Sequence, residues 1–296
     1  MENNIVLNNG VLMPRIGLGT WNLPKPELKR ILKDAYDLGY RKLDCAWSYG
    51  NEVEIGNAIK ELGIPREDFF ITTKLHIKDV SWGMYKYNLS IPKKTIRRAV
   101  DEACKRFHTD YIDMYILHWP WRNYLHMWEE IEKLNKEGRI KAIGGTSFMP
   151  WHIKNIIDNF DVKPSLNQVE FHPYGADYKL VEFCQSHNIA FESFSSFGSG
   201  PNTGHVAGNV FNEPILSELS EKYNRTIGQL ILRWILQQGI SVIPRSTSKR
   251  HLAENIDVFN FDISREDMSK IQHLNQNQIN WANPWDTVPV GERYIY

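Results

Sequence analysis

The segment RKLDCAWSYGNEVEIGNAIKELG, residues 41–63, changes character partway along. Lys42-Leu43-Asp44 reads as a short strand that ends on an acid, and Asn51 to Gly63 reads as a helix, with Tyr49 between them. One strand-then-helix unit says little about a fold. Its repetition along the chain decides the architecture.

Upstream, IGLGT (16–20) precedes ELKRILKDAYDLG, where Leu28, Ile31, Leu32, Ala35 and Leu38 fall at helical spacing and Gly39 supplies a stop. Downstream, FFITTK (69–74) leads after a long connection to PKKTIRRAVDEACKRF. Proline in the first turn and Ile96, Ala99, Val100, Ala103 and Phe107 on one face mark that segment as a helix. IDMYILH (112–118), RIKAIGGTS (139–147), SLNQ (165–168), IAFESFS (189–195) and SVIPRS (241–246) continue the strand series. Helical patterns fall between them at 124–137, 150–160, 177–187 and 213–238, the last broken near Asn224. Eight such units without a composition break predict one domain over residues 1–296, an α/β (β/α)8 TIM barrel of parallel strands sheathed by helices. An N-terminal β-hairpin is expected from IVLNNGVLM, with its Asn-Gly turn. Gly17 and Gly19 lack the third glycine of a G-x-G-x-x-G loop, which weighs against an open doubly wound sheet.

Composition narrows the partner. At 296 residues, 42% hydrophobic, the chain can bury a large core, and 35 basic against 35 acidic side chains leave no electrostatic footprint for nucleic acid or membrane. A small molecule is the expected partner. The start, MENNIVLNNG, has neither a basic nor an apolar leader region, so a cytoplasmic protein is expected. Cys45, Cys104 and Cys184 have no metal-site or disulfide spacing and are expected to be buried thiols.

In a barrel the active-site groups lie where strands meet their C-terminal loops. Those positions carry Thr20, Asp44, Lys74, His118, Ser147, Gln168, Ser195 and Arg245. Any one of them is explained as the polar start of a solvated loop. Asp44, Lys74 and His118 with nearby Tyr49 form a set that can handle protons. Two readings stand at this point. In one, an Asp44–Lys74 salt bridge closes the barrel rim, with Tyr49 and His118 as satisfied structural groups. In the other, Lys74 stabilises the Tyr49 phenolate and pulls its pKa below the usual value of about 10.

GTW (19–21), LDCAWSYGNEVEIG (43–56), ITTKL (71–75), YILHWP (115–120), IGGTS (143–147), NQVEFHP (167–173) and IPRSTSKRHLAEN (243–255) together resemble the aldo-keto reductase superfamily, in the same order. The resemblance implies a monomeric or dimeric oxidoreductase that binds NADPH, with NADH as an alternative, and reduces small-molecule aldehydes or ketones. It places Asp44, Tyr49, Lys74 and His118 in the catalytic roles, with Tyr49 as general acid. It places Trp21, Trp47, Tyr49, His118 and Trp119 along the substrate cleft; Trp82, on the long connection after Lys74, is a further candidate there.

By the same resemblance, Ser147 and Gln168 hold the carboxamide, Phe194 stacks on the nicotinamide, and Thr20, Trp21 and Asp44 approach its ribose. Ser195, Phe197 and Ser199 follow the pyrophosphate. Arg245, Ser246, Thr247 and Ser248 clamp the 2′-phosphate, and Glu254 and Asn255 meet the adenine. The sequence departs from the family pattern at Phe148, where an asparagine is common, at Phe194 and Ser196, which replace tyrosine and proline, and at His251, which replaces an arginine. The long connection over 75–91, with Trp82, Tyr85 and Tyr87, is expected to be either a surface excursion or a substrate flap. The tail from Trp281, rich in proline and aromatics, is expected to lie extended over the barrel mouth. Two other functions are compatible with the fold: a cofactor-binding redox sensor or regulatory subunit with little turnover, and a metal-dependent barrel hydrolase or isomerase. The sequence offers no cluster of metal ligands at strand ends for the second.

Overall fold

A computed structural model describes residues 3–76, 92–121, 123–198 and 210–279. The chain opens with the expected hairpin, β1 (Asn4–Val6) antiparallel to β2 (Leu12–Pro14). Pairing continues inward through Leu7 N to Val11 O at 2.9 Å, leaving Asn8, Asn9 and Gly10 as the loop, with Gly10 at a φ of 84° that suits glycine.

Eight parallel strands follow in chain order: β3 (Leu18–Gly19), β4 (Lys42–Asp44), β5 (Phe70–Leu75), β6 (Ile112–Leu117), β7 (Ile140–Thr146), β8 (Leu166–Glu170), β9 (Ala190–Phe194) and β10 (Ser241–Val242). Each pairs with its sequence neighbour. The sheet closes where Ile16 bridges Val242, through Gly17 N to Val242 O at 2.9 Å, Val242 N to Arg15 O at 2.8 Å and Gly19 N to Pro244 O at 3.1 Å. Closure removes both sheet edges.

The connecting helices are α1 (Leu28–Asp37), α2 (Glu52–Glu61), α3 (Lys93–Arg106), α4 (Tyr124–Lys136), α5 (Pro150–Asn159), α6 (Tyr178–Ser186), α7 (Pro214–Tyr223) and α8 (Ile227–Gln237). Asn224, at a φ of 50°, ends α7 in the left-handed conformation and makes the break read from the sequence. Two short helices, α9 (Lys249–Ile256) and α10 (Arg265–Gln272), follow the last strand and start on serine caps, Ser248 and Ser264. Among the described residues no helix is long and apolar enough to cross a membrane.

Strand register sorts the side chains. From β4 to β9 even-numbered residues stand opposite even-numbered ones: Asp44 beside Thr72, Lys74 beside Ile116, Gly144 beside Leu166, and Gln168 beside Glu192. They share the inner face. The odd-numbered Leu43, Ile71, Tyr115, Leu117, Ile143 and Phe191 face outward into one core with Ile31, Leu32, Ile55, Val100, Trp128 and Trp234 of the helices. Inside, a separate apolar cluster of Phe70, Met114, Ile116, Ala142, Leu166 and Ala190 is covered from below by Leu7 and Met13 of the hairpin segment. The hairpin is therefore the floor of the barrel, and the polar inner residues lie above it.

Candidate active site

Asp44 ends β4 and Lys74 lies near the end of β5, both almost fully buried. Lys74 Nζ donates to Asp44 Oδ1 at 2.7 Å and Oδ2 at 2.8 Å, to the Cys45 carbonyl at 2.9 Å and to the Tyr49 hydroxyl at 3.2 Å. One ammonium thus joins the acid and the phenol. Tyr49 reaches it because the chain after β4 makes a single 3-10 turn, Trp47–Tyr49, closed by Gly50 in the left-handed conformation at a φ of 66°. Behind this turn Thr20 is fully buried and gives its hydroxyl to the Asp44 carbonyl at 2.8 Å, while Asn51 Nδ2 holds the Thr20 carbonyl at 2.8 Å.

His118 follows β6, tied to the neighbouring strand by its N–H to Leu75 O at 3.0 Å. Its ring stands edge-on to Tyr49 with centroids 6.0 Å apart and parallel to Trp119 at 6.4 Å, and its Nδ1 lies 3.4 Å from Ser48 Oγ. Trp47 stacks on His76 at 5.8 Å, and His76 meets His118 and Trp121 edge-on at 5.6 and 5.5 Å. These rings form one continuous cluster that reaches Tyr49 through His118. Trp21 stands at the rim, 46% exposed.

The electrostatics correct one expectation. Burial pushes the Tyr49 phenol up to about 12, against the opposing pull of the Lys74 charge, so Tyr49 does not fall below its usual value. Lys74 would be lowered by burial, but the Asp44 carboxylate and Tyr49 outweigh it and raise the ammonium to about 12. Burial first, then the Lys74 charge and His76, hold the His118 imidazole well below its usual range. The site at neutral pH is therefore a protonated phenol, an ammonium and a neutral imidazole around one opening.

Around the rest of the mouth, Ser147 adopts a φ of 54° after β7 and donates its N–H to Gln168 O at 2.9 Å. Gln168 Nε2 donates inward to Asp44 Oδ1 at 2.8 Å and Glu192 Oε1 at 3.0 Å. That leaves Gln168 Oε1 without a partner among the described residues. Phe148 is buried against Tyr124, Trp128 and His152, and takes no part in the mouth. Phe194 ends β9 half-buried, Ser195 turns the chain at a φ of 51°, and Phe197 contacts Phe211.

After β10, which lies beside β9 in the barrel, Arg245 is exposed and donates to Asn22 O at 3.2 Å. Ser246 Oγ accepts from Ser248 N at 3.0 Å, and the Thr247 carbonyl accepts from Arg30 at 3.0 Å. Ser248 caps α9, with Arg250 and His251 exposed on its first turn, Arg250 Nη2 3.1 Å from His251 Nε2. Glu254 is ion-paired to Arg250 at 3.5 Å, and Asn255 is buried. A row of cations and hydroxyls at a helix start suits a phosphate, and the unengaged Gln168 oxygen suits an amide N–H. Both fit an extended dinucleotide. Trp82, Ser199, most of the 75–91 connection and the C-terminal tail lie outside the described residues. Among those described, no group of three His, Cys, Asp or Glu could hold a metal ion.

Three residues of this site escaped the sequence reading: His76, Lys42 and Glu192. His76 follows Lys74 by two positions, so strand alternation was the available signal. Lys42 precedes Asp44 by the same interval, and Glu192 is the one charged residue in the apolar run IAFESF.

Residues 15–276 match the sequence profile of the Aldo/keto reductase family. The chain is 34% identical to the 9,11-endoperoxide prostaglandin H2 reductase of Trypanosoma cruzi, covering 98% of both chains. It is 35% identical to the glyoxal reductase of Bacillus subtilis, over 96% of this chain and 97% of that one. The crystal structure of a Bombyx mori aldo-keto reductase in complex with NADP superposes with a TM-score of 0.82 at 29% identity, covering 93% of each chain.

Proposed function

Because this chain belongs to the aldo/keto reductase family, we propose that it reduces aldehyde or ketone carbonyls of small molecules to alcohols with NADPH, Tyr49 acting as the general acid. The observation that carries this reading is the Lys74 ammonium, which contacts the Asp44 carboxylate and the Tyr49 hydroxyl together. When bound across the mouth, the dihydronicotinamide would supply a hydride to the carbonyl carbon.

The side chains of the site do the rest. Tyr49, protonated throughout the physiological range, gives its proton to the oxygen as negative charge develops there. Lys74 stabilises the phenolate left behind, and Asp44 holds the ammonium in place. His118, kept neutral, donates a hydrogen bond to the substrate oxygen and orients it, a contact that strengthens toward the transition state. Gln168 and Ser147 would hold the carboxamide, and Arg245 with Ser246, Thr247, Ser248 and His251 the 2′-phosphate, which favours NADPH over NADH. Trp47, Trp119 and Trp21 form walls for a small apolar or mixed substrate.

The test is NADPH consumption followed by absorbance with methylglyoxal and an aromatic aldehyde, in wild type and Tyr49→Phe. Wild type should turn over, and the variant should lose roughly 10²–10⁴-fold in kcat with NADPH affinity almost unchanged. A Phe variant with wild-type kcat would remove Tyr49 from the acid role. Tight NADPH binding without turnover on any carbonyl would favour the redox-sensor reading.

A further inference from the structure

Beneath Asp44 the barrel holds a second charged pair. Lys42 of β4 and Glu192 of β9 are both fully buried and form an ion pair across the interior. Gly17 makes room for it, since a Cβ there would stand 2.8 Å from Lys42 Cγ. Lys42 Nζ also reaches the Pro14 carbonyl at 3.4 Å, and Glu192 Oε2 accepts from Ser241 Oγ at 3.1 Å. The other oxygen, Oε1, is the one that accepts from Gln168.

A glutamine amide has nearly the same shape either way round, so its partners decide which end is which. Gln168 Nε2 meets two carboxylate oxygens, Asp44 Oδ1 and Glu192 Oε1. Turned over, its carbonyl oxygen would face both of them. We propose that the Lys42–Glu192 pair is a positioning device for the cofactor: together with Asp44 it engages both N–H groups of Gln168 and so fixes Oε1 as an acceptor for the carboxamide N–H of a nicotinamide. This inference rests on the nicotinamide reading above.

Asp44 alone would engage one N–H and leave the other free to compete at the mouth. Lys42 matters because it engages Glu192 Oε2 and so leaves the other oxygen, Oε1, turned toward Gln168 as an acceptor. A buried ion pair is often no more stable than a well-packed apolar pair of the same volume, so orientation of a neighbour accounts for this one better than stability does.

The experiment compares binding of NADPH with that of 2′-phospho-ADP-ribose, which lacks the nicotinamide, by fluorescence quenching. In Glu192→Gln the single amide oxygen is claimed by Lys42 and the new N–H groups face Gln168. NADPH affinity should fall roughly two- to tenfold, the loss of one neutral hydrogen bond, with KM for NADPH rising more than kcat falls and the fragment's affinity unchanged. In Lys42→Met/Glu192→Gln the oxygen is released to Gln168, and NADPH affinity should return. Equal losses for both ligands, or no loss in Glu192→Gln, would overturn the inference. Should Glu192→Gln fail to fold, Lys42→Met/Glu192→Gln is compared with Lys42→Met/Glu192→Leu, where only the first keeps an acceptor for Gln168. Equal NADPH affinity in those two would overturn it as well. A wild type that binds no NADPH would bring down the cofactor reading itself, and this inference with it.

Discussion

Tyr49 and Lys74 show how far a residue's chemistry departs from its sequence. Asp44, Lys74 and His118 were legible as candidates because each sits at the end of a recognisable apolar run, in the order of the strands in the sheet, and Tyr49 because it follows Asp44 by five positions. The direction of the Tyr49 shift was not legible, since it depends on how much water the fold removes from the phenol, and in this site burial outweighs the ammonium. Both pKa values lie at about 12 in the folded protein, above their ordinary values of about 10. The folded state therefore holds protons that the unfolded chain releases. Its contribution to stability is complete below about pH 10 and is lost as pH rises toward about 12. With His118 held neutral from the acid side, kcat/KM for a non-ionising aldehyde is expected to be flat between about pH 6 and pH 9. A pH–rate series in mixed buffers checks this, and a limb titrating near neutrality would show that another group controls the proton.

The packing of α2 on α3 settles the sign of a substitution that propensity alone gets wrong. Alanine for glycine inside an exposed helix normally stabilises by about 1 kcal/mol. At Gly56 in α2, however, a Cβ would stand 2.0 Å from the Arg106 carbonyl at the end of α3. The same helices are pinned by Arg106 Nε to Glu52 Oε2 at 2.6 Å, and Glu52 also accepts from Thr73 of β5, next to Lys74. Gly56→Ala should therefore destabilise by about 1–3 kcal/mol in urea unfolding, the magnitude of an overpacked contact. Helix positions were readable from 3.6-residue spacing because apolar faces repeat locally, as in α3, where the predicted face residues Ile96, Ala99, Val100 and Ala103, with Phe107 just past its end, are all buried. Contacts such as Gly56 with Arg106 were not, because nothing local in either segment names the other.

Across the whole molecule the two ends of the barrel divide stability from chemistry. The hairpin floor lies far from the mouth, so Leu7→Ala should cost about 2–5 kcal/mol and lower Tm while leaving kcat/KM at low temperature unchanged. Thermal melts paired with initial rates test that separation. The barrel itself was legible from eight repeated units, whereas its polar interior was hidden: Lys42 and Glu192 are 150 positions apart, and only closure brings them together. The same closure governs the cysteines. Cys45, Cys104 and Cys184 are all buried, and burial pushes each thiol upward, Cys184 to about 12. Aldehydes are electrophiles to which thiolates add as hemithioacetals, so an enzyme of a carbonyl-reducing family is exposed to such reactants. This fold presents them with no thiolate. A coloured thiol reagent should accordingly titrate none of the three cysteines in the native protein and all three in denaturant, so that the rate of labelling becomes a clock for the opening of the barrel.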